Sequence, residues 1–228
     1  MTETSESKQR WVPLESNPDV LNKYVHNLGI AKKWSFVDVY GMDDELLAMV
    51  PRPVVAVMLL YPLTDKAKAS DFGEVKQEAD IYFVKQTIGN ACGTIALVHA
   101  VANNTDKIEF EAGKHFKKFL ESTEGKSPAE KAALLENDQE MGSAHEDSAQ
   151  EGQTQAPSKD EKTNNHFIAF VCKDGELYEL DGRKEGPVSH SKSRPDTMLE
   201  DTIKVVKKFM ERDPDELNFT LMALVKNE

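Results

Sequence analysis

Seven consecutive apolar side chains, Val54-Val55-Ala56-Val57-Met58-Leu59-Leu60, sit between Pro53 and Tyr61. A run this short and this uniformly apolar reads as a central strand buried on both faces, so the rest of the chain must supply a layer against each side. A second such stretch, Cys92 to Ala102, spreads Ile95, Leu97, Val98 and Val101 over nearly every face of a helix. That pattern also demands burial. With 228 residues, 39% of them apolar, the chain can enclose a real core, and one domain spanning residues 1–228 is expected.

The remaining elements follow from local signals. Asn17 caps a helix that has Pro18 in its first position, Val20, Tyr24 and Leu28 along one stripe, and Gly29 at its end. Ser35 to Tyr40 alternates as a short strand, and a helical turn over Asp43 to Met49 must stop before Pro51. Phe110 to Leu120 is amphipathic, and Ser127-Pro128-Ala129-Glu130 is a capping box opening a helix that ends near Leu135. His166 to Cys172 and Leu177 to Leu180 are strands joined by a turn at Lys173-Asp174-Gly175. A helix over Thr197 to Arg212, with Leu199, Ile203, Val206 and Met210 on one side, is broken by Asp213-Pro214-Asp215 and followed by a strand from Phe219 to Val225. The sum is an α/β chain with a core sheet and helices around it.

Asn137 to Asn165 does not fit this pattern. Its 29 residues are almost all polar, with Met141, Ala144, Ala149, Ala156 and Pro157 the apolar exceptions. A structureless loop of that length is functional or a linker between domains. This one runs directly into His166, which favours function.

Formal net charge is −12. That argues against a nucleic-acid partner, which calls for basic patches. No apolar run approaches the ~20 residues of a membrane helix, and the first ten residues carry no apolar signal region. The two cysteines, Cys92 and Cys172, make no disulfide framework. A reducing compartment is expected, cytoplasmic or nuclear, where a thiol persists.

Cys92 is a buried core thiol or a nucleophile. On residue type alone the first is commoner, but a position at a helix N-terminus favours the thiolate, and Gly93 beside it would allow close approach of a substrate backbone. Gln86, six residues upstream, offers an amide N–H that could meet an oxyanion. Of six histidines, His26 and His115 lie on amphipathic helices, His99 is in the buried helix as a structural residue, and His145 and His190 are in polar loops. His166 alone begins a strand beside a long loop, where a base would be held on a rigid scaffold. Asp181 is either a turn former before Gly182 or the acceptor that orients an imidazole. Cys172 ends the run Phe167-Ile168-Ala169-Phe170-Val171 and reads as packing. The cysteines and histidines lack metal-ligand spacing, so no metal and no cofactor is expected.

The order Gln86, Cys92, His166, Asp181 resembles that of the ubiquitin C-terminal hydrolases, a family of papain-like cysteine proteases. The likeness extends through Trp11-Val12-Pro13-Leu14-Glu15, Phe36-Val37-Asp38-Val39-Tyr40-Gly41, Gln86–Thr94, Glu151-Gly152-Gln153-Thr154, Leu177-Tyr178-Glu179-Leu180-Asp181-Gly182-Arg183 and Phe209-Met210-Glu211-Arg212-Asp213-Pro214. The chain looks like a small, single-domain member of the L type. The resemblance implies a papain-like fold with a central antiparallel sheet, a knotted backbone, and an active-site crossover loop over residues 137–165. It implies Cys92 as nucleophile, His166 as base and acid, Asp181 as orienter and Gln86 as oxyanion donor. It implies ubiquitin, and also NEDD8, as partner, bound through Pro13, Leu14, Glu15, Asp19, Asp38 and Phe219, with a small or unfolded leaving group. A monomer is expected. The last residue, Glu228, leaves no room for the C-terminal docking extension of larger members, so no recruitment of that kind is expected. Two other readings compete: a non-catalytic ubiquitin-binding protein, and a redox or acyl-transfer enzyme unrelated to ubiquitin.

Overall fold

The computed structural model describes residues 9–69, 72–77, 79–161 and 163–227; most of the polar N-terminal stretch and Glu228 lie outside them. In chain order the elements are α1 (Pro18–Leu28), β1 (Trp34–Asp38), α2 (Asp44–Leu47), β2 (Val54–Pro62), α3 (Asp65–Ala69), β3 (Glu74–Val75) and α4 (Cys92–Ala102). There follow α5 (His115–Thr123), α6 (Pro128–Glu136), α7 (Gln139–Ala149), β4 (Asn165–Lys173), β5 (Glu176–Leu180), β6 (Val188–Lys192), α8 (Met198–Glu211) and β7 (Thr220–Lys226). All seven strands form one antiparallel sheet in the order β1-β7-β2-β4-β5-β6-β3.

The uniformly apolar β2 is central and covered on both faces, as its composition requires. Val55 and Met58 face one layer, while Val54, Val57, Leu59 and Tyr61 face the other. β4 repeats the alternation: Phe167, Ala169 and Val171 lie on the first side, Ile168, Phe170 and Cys172 on the second. The first layer holds α1, α4 with every residue from Gly93 to Val101 buried, and parts of α5, α6 and α7; the second is closed mainly by α8.

Local signals place several boundaries correctly. Asn17 accepts from the Asp19 N–H, Pro18 opens α1, and Gly29 ends it at φ 105°, in the left-handed region that glycine enters without strain. The Ser127–Glu130 capping box forms reciprocally. The amphipathic helix expected from Phe110 instead begins at His115. Ala31 N–H bonds to Glu109, Glu111 N–H bonds to Gly29, and Gly113 turns at φ 77°, so tertiary pairing pulls the preceding residues out of the helix.

The segment 137–165 is not a structureless loop. Its first half is α7, capped by Asp138, which accepts from the Met141 N–H. Met141, His145, Ser148 and Ala149 are buried against α1 and α4. Apolar content alone could not show this, because the buried face of α7 is partly polar. His145, expected in a polar loop, is fully buried on α7. His190 is likewise not in a loop: it lies on β6, hydrogen bonded to the buried Glu179 at 2.7 Å.

Phe170 is fully buried at the centre of the second layer, edge-on to Phe209. Phe170→Ala should cost about 3–5 kcal/mol of stability, measured by denaturant unfolding; a loss under about 1 kcal/mol would contradict the packing described.

Candidate active site

Cys92 is the first residue of α4 and is partly exposed in a cleft. The turn before it is tight: Asn90 sits at φ 62°, a left-handed conformation asparagine tolerates, and the N-cap Ala91 has no side-chain acceptor to consume the helix's first N–H groups. Burial pushes the thiol up, but the His166 side chain and the N–H groups of Phe167 and Gly93 outweigh it and bring the thiol below its ordinary range. Gly93 itself does not open a path for substrate. A Cβ there would lie 3.0 Å from Leu14, so its missing side chain serves packing of the N-terminal segment.

His166 stands second in β4, opposite Tyr61 of β2, and is 3% exposed. Its Nε2 donates to Asp181 Oδ1 at 2.7 Å, which leaves Nδ1 for the thiol. Burial disfavours the charged ring, yet Asp181 and Cys92 together raise its pKa to about 9. Asp181 follows the last residue of β5. Burial raises its carboxyl, and the bonds from His166 and the Arg183 N–H more than offset this, holding it below the usual carboxylate range. The three groups therefore favour a thiolate, an imidazolium and a carboxylate in series.

Gln86 lies beside the Asp181 turn. Its N–H donates to Gly182 at 2.8 Å, and its Nε2 donates to Ile88 O at 3.3 Å, leaving one amide hydrogen free; Oε1 is buried without a partner among the described residues. Gly182 is a residue whose importance was not apparent from its place in a turn. A Cβ there would lie 2.8 Å from Ile95 of α4 and 3.1 Å from the Gln86 nitrogen. Only glycine lets the turn, the Gln86 segment and α4 meet.

The second half of the 137–165 segment walls the Cys92 cleft through Thr154, Ala156, Pro157 and Asn165, opposite Pro13 and Leu14. The 137–165 segment as a whole is tied down at several points. His145 Nε2 bonds to Val12 O at 2.6 Å, and its Nδ1 pairs with Thr94 Oγ1 at 2.7 Å, which in turn meets Tyr24 Oη at 3.0 Å. Burial lowers the His145 pKa to about 4, so this network is neutral. The Lys159 carbonyl accepts from Asn90 at 3.1 Å and from Arg10 at 2.9 Å. Glu15 accepts from the N–H groups of Gln153 (3.1 Å) and Thr154 (2.9 Å). Burial raises the Glu15 carboxyl, but the bonds from Thr154, Asn17 and Gln153 outweigh it and lower its pKa to about 2.

Of the six residues expected to bind a partner, Pro13, Leu14 and Glu15 line the Cys92 cleft, and Glu15 adjoins a groove that also contains Asp19 and Asp38. Burial and the Asp19 charge raise the Asp38 carboxyl. Phe219 is in neither; it packs at the edge of the second core layer. Among the described residues no group of three or more His, Cys, Asp or Glu is arranged to hold a metal ion.

The family described as ubiquitin carboxyl-terminal hydrolase, family 1, matches residues 11–211. An Aplysia californica ubiquitin carboxyl-terminal hydrolase is 59% identical over 92% of this chain and 99% of its own. The chain belongs to this family. The Arabidopsis thaliana ubiquitin carboxyl-terminal hydrolase 3 is 48% identical, covering 97% of each chain, and the Rattus norvegicus isozyme L1 is 47% identical over 94% of this chain and 97% of that one. The fold is that of the Trichinella spiralis UCH37 catalytic domain, solved bound to ubiquitin vinyl methyl ester, at a TM-score of 0.79 and 22% identity over 98% of this chain and 99% of that one.

Two outcomes test the site as built. In this family member, Cys92 should alkylate with iodoacetamide at a midpoint below the ~8.5 of a free cysteine, and Asp181→Asn should move that midpoint up by weakening the imidazolium; an ordinary midpoint in the wild type would contradict the coupling. Gly182→Ala should lose about 1–3 kcal/mol by overpacking, read by denaturant unfolding, whereas an unchanged midpoint would mean the turn has room to spare.

Proposed function

We propose that the protein hydrolyses small or unfolded adducts from the C-terminal glycine of ubiquitin, and also of NEDD8, using Cys92 as nucleophile. The observation that carries this reading is the chain of Cys92, His166 and Asp181 at a cleft, in a member of a family named for that hydrolysis.

The Cys92 thiolate attacks the carbonyl of the terminal glycine. Charge develops on the carbonyl oxygen, where the Cys92 N–H at the start of α4 and the free Gln86 amide hydrogen stabilise it. The His166 imidazolium gives its proton to the leaving nitrogen, and the C–N bond breaks to leave a thioester on Cys92. His166, now neutral, takes a proton from water, and the resulting hydroxide displaces the thiolate. Asp181 holds the ring's tautomer and stabilises its charged form throughout.

The cleft of about 310 Å³ beneath the 137–165 segment accepts a narrow extended chain and not a folded body. Pro13, Leu14, Glu15, Asp19, Asp38 and Phe219 would contact ubiquitin. The acidic groove of Glu15, Asp19 and Asp38 suits the arginines of the ubiquitin tail and would raise the association rate at low salt.

An electrophilic ubiquitin derivative should label one thiol, and Cys92→Ser should abolish labelling; labelling that survives would remove the assignment. Gln86→Ala should lower kcat by ~10²–10³ with little change in ubiquitin affinity. Turnover needs protonated His166, so kcat/KM should fall as pH rises through about 9. Asp181→Asn lowers the imidazole pKa, so that limb should move down; a limb that stays in place would sink the role given to Asp181.

A further inference from the structure

His99 lies on α4, two helical turns beyond Cys92, and is fully buried. Its Nε2 accepts the Val84 N–H at 2.9 Å, so the ring proton is on Nδ1, which bonds to the Leu180 carbonyl at 3.3 Å. Burial lowers its pKa to about 4, consistent with a neutral ring. The ring stacks on Phe83 at 5.0 Å and 12°. Val84 is two residues before Gln86, and Leu180 is the residue before Asp181.

The ties along this segment alternate. Asn103 exchanges two bonds with Tyr82, accepting its N–H at 2.8 Å and donating to its carbonyl at 2.9 Å. His99 takes the Val84 N–H, and Gly182 takes the Gln86 N–H. Bonds at residues 82, 84 and 86 are those of an extended chain, which advances about 6.6 Å per two residues. Asn103 and His99 are four apart, so they face the segment from one side of α4, at about 6 Å spacing. The near match lets an extended chain dock on the helix in one register. A slip of one residue would turn Gln86 to the opposite side.

We propose that His99 is a positioning residue, which from the nucleophile's own helix locks the Gln86 segment and the Asp181 strand end into register with Cys92. This rests on the hydrolytic reading above for the roles of Gln86 and Asp181. A histidine is suited to the task because a neutral imidazole accepts on one edge and donates on the other, about 2 Å apart on a rigid ring. Both carbonyl and N–H partners are backbone atoms inside the protein, where an unpaired group is costly.

The test compares wild type, His99→Phe and His99→Gln on a fluorogenic ubiquitin C-terminal amide, with rates per folded protein from near-UV circular dichroism. His99→Phe keeps the ring's bulk and its stack but neither accepts nor donates. Its kcat should fall ~10–10²-fold, as misplacement of reacting groups by about 1 Å does, with KM within two-fold and the upper pH limb shifted down. His99→Gln can again accept from Val84 and should recover most of kcat. A kcat within two-fold in His99→Phe, or a loss with the pH limb unmoved and no recovery in His99→Gln, overturns the proposal. If His99→Phe does not fold, His99→Asn replaces it: its shorter amide reaches Leu180 but not Val84, so kcat should fall while the pH limb holds, and an unchanged kcat overturns the proposal. Iodoacetamide alkylation of Cys92 needs no ubiquitin and separates the two readings. A wild type that leaves the ubiquitin amide intact, with the alkylation midpoint still raised in His99→Phe, defeats the hydrolase reading and supports the positioning role; a midpoint unmoved in His99→Phe defeats the positioning role.

Discussion

Helix α4 is apolar on nearly every face, yet its buried side chains Thr94 and His99, and the two asparagines that follow it, are polar. Buried polar groups must find partners, and here each partner belongs to a different part of the chain. Thr94 meets α1 and α7 through Tyr24 and His145. His99 meets Val84 and Leu180, Asn103 meets Tyr82, and Asn104 donates to Val55 of β2 at 3.0 Å. The apolar surface drives the helix into the core, and the four polar side chains then decide which segments surround it. Since Cys92 starts this helix, the same bonds that satisfy its interior also define the surroundings of the thiol.

The buried ion pair behind Cys92 depends on that frame. Burying His166 and Asp181 costs desolvation, and their attraction offsets it only while the geometry is good. Asp181 is fixed from two sides: β5 pairs with β4, placing the Asp181 turn beside His166, and Gly182 locks that turn against Gln86 and α4. Strand pairing brings His166 to Asp181, and a missing side chain brings both to Gln86.

The 137–165 segment shows how little polarity says about order. Its side chains are those of a solvated loop, but its backbone, His145 and Glu151 are pinned to the N-terminal segment, to α1 and to the turn carrying Cys92. Access to the thiol is therefore limited by a strap held through Glu15, Asn90 and His145. Glu15 both secures this strap and borders the acidic groove, so it couples the strap to the surface proposed for the partner.

Signals read along the chain were enough for the central buried strand, the buried α4, the capped α1 and α6, and the choice of Gln86, Cys92, His166 and Asp181 as candidates. Those features rest on periodicity, caps and residue chemistry, which act over a few neighbours. Only packing between distant segments makes α7 a helix, buries His145, places His190 on β6 against Glu179, sets Glu15 on the strap, and brings Gly182 and His99 against the segments around Cys92. Each of these depends on a partner distant along the chain: Glu15 with Thr154, His99 with Leu180, Gly182 with Ile95. Contacts of that kind leave no local pattern, because a side chain's hydrogen-bond partner is chosen by the fold that buries it.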